Sequence, residues 1–304
     1  MANVHGLGDV NRRNTGRNPG GYQPAPDEDM NQIAAFVVRH KVPFLYIPNN
    51  TTPPLDESIP ETIKITFCPS LKLLSLVNFL ALTTIALFIT ECVMGIDTSV
   101  GVLQIQSGIL NELGANVPIE VCQGQVYRLL TAAFLHANIG HLLANLVSSY
   151  IIITRLEACY SSWQMVIIFL VSAVCGNILS DLGAGSLGQI AVGISTAIYG
   201  FIGTLVAYLI VNWSQLAAVG PLRAQLVCVV VLFLFMSIMF SITQSTNVID
   251  YYGHMGGFVG GLFASMLLPA IDPNPPKTMK IVGGVVLGVY LLTTFLVFYL
   301  AKCP

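Results

Sequence analysis

Four side chains, on three separate stretches of the chain, have the types and settings that acyl-transfer chemistry needs. Ser195 stands in "GISTAIYG", at the start of a long apolar run, and His254 stands in "YYGHMGGFVGG", at the start of another. A serine hydroxyl is a weak nucleophile until a neighbouring base takes its proton. A histidine within hydrogen-bond reach is such a base near neutral pH. Attack on a peptide carbonyl also builds an oxyanion, which needs donors fixed in advance. His141 and Asn145, in "HANIGHLLAN", are four residues apart and so share one face of a helix. With the Ser195 backbone N–H at a helix N-terminus they offer three donors. Tyr199 falls one turn after Ser195, where it can stack on the His254 imidazole. No Asp or Glu is expected against this pair, so the residues read as a Ser–His dyad rather than a triad.

The elements that must position these residues are membrane helices. Of 304 residues 54% are hydrophobic and 9% charged, against about 25% charged in soluble domains, so most of the chain lies in lipid. The net charge of -2 gives no footing for a nucleic-acid partner. Apolar runs recur at about 72–94, 136–154, 163–180, 193–213, 224–243, 251–270 and 281–301, each near the roughly 20 residues a bilayer-spanning helix needs. In lipid each backbone group must be satisfied within its own element, and no strand pattern competes. The expectation is an all-α polytopic membrane protein, a bundle of seven transmembrane helices.

Lys and Arg orient it. The tail carries Arg12, Arg13, Arg17, Arg39, Lys41 and Lys64. Arg155, Arg223, Lys277 and Lys280 follow the second, fourth and sixth spans, and the connections after the third and fifth have none. The N-terminus is therefore expected in the cytosol, the 95–135 connection outside, and Lys302 outside as an exception. Residues 1–70, rich in Gly, Asn, Arg and Pro, read as a largely flexible cytosolic tail without a cleavable signal. Its sequons at Asn49 and Asn50 then lie on the wrong side for glycosylation. Residues 71–270 form the six-helix core, and 271–304 a loop and seventh helix.

In this topology the even-numbered spans all begin in the outer leaflet. At about 1.5 Å rise per residue, Ser195 and His254 then sit at one depth and can meet. Gly253, Gly257, Gly261 and Ser265 recur every fourth residue, and Gly200 and Gly203 thin the facing span. Such small residues let membrane helices touch backbone to backbone, with or without a site beside them. The stretch "VYRLLTAAFL" reads as a loop dipping into the outer leaflet. Arg128 either bonds its carbonyls or snorkels to the interface.

Plainer readings stand beside these. A lone membrane serine bonds back to its own helix, and an intramembrane histidine serves as a proton relay or a structural group. His136 can simply brace the loop. His136, His141 and His254 are enough histidines for zinc, but the first two are five apart and no carboxylate joins them, so no metal is expected. A transporter built on a histidine cluster is disfavoured because the halves show no internal repeat. Of the seven cysteines, Cys92 and Cys122 fall near the outer face and are a candidate disulfide.

Taken together these stretches resemble the rhomboid family of intramembrane serine proteases. "YRLLTAAFLHANIGHLLAN" is similar to the family's Trp-Arg loop followed by H-x4-H-x3-N, "GIST" to its G-x-S-G, and "GHMGGFVGG" to its histidine with glycines at +3 and +7. Glu157, twelve after Asn145, matches a family glutamate. The resemblance covers about 95–270, and the added C-terminal helix is similar to the eukaryotic secretase-type arrangement. It implies Ser195 as nucleophile, His254 as general base, and His141, Asn145 and the Ser195 amide as oxyanion hole, with Gly193 shaping the turn. Tyr199, His136, Arg128, Glu157, Gly257 and Gly261 are implied in support. It implies no cofactor, and substrates that are single-pass membrane proteins cut near the outer end of their helix. The membrane is one of the secretory pathway or the plasma membrane. An inactive relative that binds membrane clients is the alternative. Two positions depart from the pattern: Tyr127 replaces the tryptophan, and Thr196 replaces the glycine after the serine. A β-branched Thr196 either crowds the oxyanion hole or fits the first helical turn.

Overall fold

The computed structural model describes residues 75–157, 159–213, 216, 220–243, 250–268 and 276–304. The tail assigned to 1–70, with its arginines and sequons, lies outside them. The described chain is helical, with no strand among the described residues. In order come α1 (Leu76–Met94), α2 (Ser107–Glu112), α3 (Pro118–Cys122), α4 (Arg128–Thr131), α5 (Ile139–Leu156), α6 (Ser162–Gly183), α7 (Ser195–Val211), α8 (Gly220–Thr243), α9 (Tyr251–Leu267) and α10 (Lys277–Ala301). The long helices fall on the apolar runs. Four of them, α1, α5, α6 and α10, are long and apolar enough to cross a membrane, so the chain is a multi-pass membrane protein. α7 and α9, at 17 residues each, are shorter, and a count of seven spans remains an expectation.

Local chemistry starts these helices. The Asn138 side chain accepts from the His141 N–H at 2.8 Å and opens α5. Asp250 accepts from the Gly253 N–H at 2.8 Å and opens α9, and Ser161 with Gln164 forms a capping box on α6. Each satisfies a donor that the helix cannot pair internally. Glu157 works at the other end of the bundle. Its Oε1 accepts from the Leu76 and Val77 N–H groups, at 2.5 and 3.3 Å, and caps α1.

α9 packs between α6 and α7, close enough that side chains are excluded. A Cβ at Gly257 would lie 2.0 Å from the Thr196 carbonyl oxygen, and one at Gly261 would lie 1.9 Å from that of Gly200. These are the expected contacts with α7. Gly256 and Gly260 form a second ridge one residue over, against α6: their Cβ atoms would come within 2.4 Å of the Cys175 carbonyl oxygen and 2.7 Å of its Cβ. Gly253 serves this second seam, since a Cβ at Gly176 of α6 would meet its carbonyl oxygen at 2.6 Å. Two seams on one helix place α9 at a fixed height against both neighbours.

The 95–135 connection is a folded cap rather than a loose loop. Arg128 is buried, and its guanidinium bonds the Asn111 and Ala115 carbonyls at 2.9 and 2.8 Å, the Asn111 side chain, and Gln125. It anchors the connection and does not snorkel. Residues 128–134 form short helical turns before the chain extends at Leu135, so this part is separate from α5, as its interrupted pattern requires. The disulfide differs from the expected pair. Cys122 bonds Cys303, and Cys92 is a free thiol. Cys92 lies against the apolar cluster around Phe88 and Leu142. The end of α10 returns instead to α3, where Tyr299 also donates to the Val121 carbonyl at 3.3 Å.

Candidate active site

Ser195 is the first residue of α7, and His254 lies in the first turn of α9. The glycine seams bring their side chains together: Ser195 Oγ and His254 Nε2 are 2.9 Å apart. With the serine O–H donating and Nε2 accepting, this is the contact a general base requires. Both residues are half-buried. Tyr199 stacks on the imidazole, ring centroids 4.1 Å apart and planes within 11°, and Phe233 of α8 meets Tyr199 edge-on. The ring is thus clamped flat. An acid does stand near the pair: Asp250, one turn before His254, opens the same helix. Its carboxylate is committed to the Gly253 N–H, and among the described residues no carboxylate bonds the imidazole.

Two residues before Ser195, the turn needs a glycine. Gly193 has φ +123°, in the region L side chains avoid. A Cβ there would also lie 2.7 Å from His141 Cε1, 2.8 Å from its Nε2 and 3.4 Å from Asn145 Nδ2. His141 and Asn145 therefore project from α5 into the space beside the Ser195 turn. The Gly193 N–H donates to the Ala132 carbonyl at 2.9 Å, which ties this turn to the α4 region. Asn145 is buried, and its Nδ2 has no hydrogen-bond partner among the described residues. A buried donor left unmade costs about 1–3 kcal/mol, a cost that an incoming oxyanion would offset. His136 is fully buried, with its ring 5.2 Å from that of His141, edge-on. It lies behind His141 rather than on the serine.

Thr196 does not face this space. Its Cβ and Cγ2 turn toward α6, where a Cβ at Gly176 would meet them at 2.9 and 3.1 Å. The missing side chain of Gly176 makes the room that the threonine fills. Of the two readings of Thr196, the fit to the first helical turn is the one observed. Thr196→Gly is accordingly expected to lower stability by about 1–2 kcal/mol, from lost packing and added backbone freedom, without raising turnover. A thermal melt and a cleavage rate check both halves. Glu157, by contrast, stands at the far end of α5 capping α1, outside the site.

Residues 123–270 match the Rhomboid domain family. The chain carries a rhomboid domain. The rhomboid domain takes in Arg128, α5, α6, α7, α8 and α9, and with them every residue around Ser195 described above. Among curated proteins the chain is 36% identical over 144 residues to "RHOMBOID-like protein 7" of Arabidopsis thaliana, covering 47% of this chain and 43% of that one. It is 32% identical over 161 residues to "Rhomboid-like protease 1" of Toxoplasma gondii, 53% of each. A longer match, 27% identical over 241 residues, links it to "Rhomboid-like protease 2" of the same organism, with 78% of this chain and 82% of that one. The chain thus spans about half the length of the first two relatives.

Proposed function

We propose that this chain, with its rhomboid domain, is an intramembrane serine endopeptidase working through a Ser195–His254 dyad. The observation that carries the reading is the 2.9 Å contact between Oγ and Nε2, made at a helix N-terminus that faces buried, unpaired Asn145. Ser195 Oγ attacks the scissile carbonyl while His254 Nε2 takes its proton. The oxyanion is held by Asn145 Nδ2, by the His141 imidazole and by the Ser195 N–H, which is among the first N–H groups of α7 and so has no intrahelical acceptor. His254 then returns the proton to the leaving amine, and water hydrolyses the acyl-enzyme by the same exchange. Tyr199 keeps the imidazole in plane. The chemistry calls for no cofactor. Without a carboxylate on the imidazole, turnover is slow: spoiling that role in a triad costs about 10⁴.

A site at the outer ends of α5, α7 and α9 suits substrates that reach it from the bilayer. Single-pass membrane proteins cut near the outer end of their helix, where small or helix-breaking residues let the backbone unwind, fit it best. In this reading residues 1–70 are a cytosolic tail, 71–270 the catalytic core and 271–304 a loop and seventh span, in a secretory-pathway or plasma membrane. The Cys122–Cys303 bond supports that topology, since it needs the 95–135 connection and the chain end on one side, and an oxidising one.

The test is reconstitution in liposomes with a single-pass substrate carrying a helix-breaking residue in the outer third of its span. Product masses should place the cut there. A chain that binds the substrate but never cuts it is an inactive client binder.

A further inference from the structure

Glu91 is a fully buried carboxyl in the last turn of α1, and the dyad mechanism gives it no part. A carboxyl inside a membrane helix is costly enough to mark a function by default, and a buried one must be hydrogen-bonded. Its two oxygens lie 3.3 and 3.4 Å from the backbone nitrogen of His136, whose N–H donates to both. That amide sits two residues before Asn138, the residue that opens α5. The next residues are held as closely: the Ala137 carbonyl accepts from the Ile105 N–H at 2.8 Å. The Asn138 side chain is bonded by Gln104 at 3.2 Å and accepts from the His141 N–H at 2.8 Å. Leu135, just before, is buried in the apolar cluster with Phe88 and Leu142.

The entry into α5 is therefore pinned at consecutive peptide groups, and His141 and Asn145 follow within its first two turns. A helix turns about 100° per residue, so a small change at its entry swings both donors. The side-chain route runs in parallel, since the His136 ring supports that of His141 from behind. Resting on the protease reading, we infer that Glu91 is a positioning residue: it holds the His136 peptide, and so sets where His141 and Asn145 stand around the oxyanion. It touches neither substrate nor reacting atoms.

The test compares the reconstituted full chain with Glu91→Leu, which removes the acceptor, and Glu91→Gln, which keeps one. Two readouts are used: the rate of Ser195 labelling by a fluorophosphonate, and amide hydrogen exchange across residues 134–142. Glu91→Leu should label about 10–100-fold more slowly, the scale of a donor misplaced by about 1 Å. Exchange should rise in 134–142 but not in α6 or α9. Glu91→Gln should stay close to wild type in both. Labelling of Glu91→Leu at the wild-type rate, unchanged exchange, or equal losses in the leucine and glutamine variants would each overturn the inference. Should Glu91→Leu fail to fold, Glu91→Asp draws the carboxyl back by one methylene and should show the same two changes, smaller. A wild type that neither cuts nor labels counts against the protease reading instead, and exchange in 134–142 then decides whether Glu91 holds the segment.

Discussion

Ser195→Ala is expected to abolish cleavage of a reconstituted single-pass substrate while leaving expression, fold and substrate binding intact. The substitution removes one oxygen from the first residue of α7. It leaves the Gly193 turn, the α7–α9 seam and the Tyr199–His254 stack without a changed neighbour, because among the described residues the hydroxyl bonds the imidazole. Ala is also a better helix former than Ser. What remains is His141, Asn145 and the Ser195 N–H around a carbonyl that nothing attacks. In subtilisin, removing the serine costs about 2 × 10⁶ in kcat, and the oxyanion hole and binding keep only about 10³–10⁴ over water. A dyad enzyme starts slower, so the residual rate falls below detection. Gel quantitation of product over a long incubation checks this, with co-purification of substrate as the binding control. Persistent cleavage by the purified variant would refute the assignment of Ser195.

Gly261→Val has the second largest expected effect, and it works at a distance. Gly261 is two turns from His254 and touches no reacting group. A Cβ there would stand 1.9 Å from the Gly200 carbonyl oxygen and 2.5 Å from its Cα. Backbone cannot step aside as a flexible side chain can, so α7 and α9 must part. Overpacking of this kind costs about 1–3 kcal/mol or more. The functional loss is larger than the stability loss. The Ser195–His254 contact spans the same two helices, and a shift of about 1 Å there costs on the order of 10² in rate. The expected result is a turnover at least about 100-fold lower with a lowered melting temperature. Gly288→Val is the control: that glycine lies on the exposed face of α10 with nothing within 4 Å of a Cβ, and it should behave as wild type. Equal activity in Gly261→Val would contradict the seam as the device that assembles the dyad.

The seams also show where the sequence was legible and where it was not. The long helices and the pairing of Ser195 with His254 follow from hydropathy and depth, because apolar runs have a required length in lipid and loop charges give direction, but helix starts differ from the runs, as at Ile139 against 136 and Lys277 against 281. Tyr199 over His254 follows from one helical turn of spacing. The second ridge, Gly256 and Gly260, is equally present in "GHMGGFVGG", yet a single four-residue repeat explains only one neighbour, and nothing in the string says that α9 has two. Which way Thr196 points was likewise open, since its room comes from Gly176, twenty residues earlier on α6. The Cys122–Cys303 bond closes over 181 residues, and proximity at that range is set by how α10 docks. Glu91 was invisible for the opposite reason. One acid near the end of an apolar run looks like an interface residue, and only the fold reveals that its partner is a backbone N–H on another element.

Ser195 must be activated by His254 for the dyad to work. The direct measurement is a fluorophosphonate label applied to the reconstituted wild type and to His254→Ala, located by peptide mass mapping. One adduct is expected, on Ser195, in the wild type and none in His254→Ala. A folded wild type that takes no label at Ser195, or a Ser195 that labels equally without His254, would contradict the dyad.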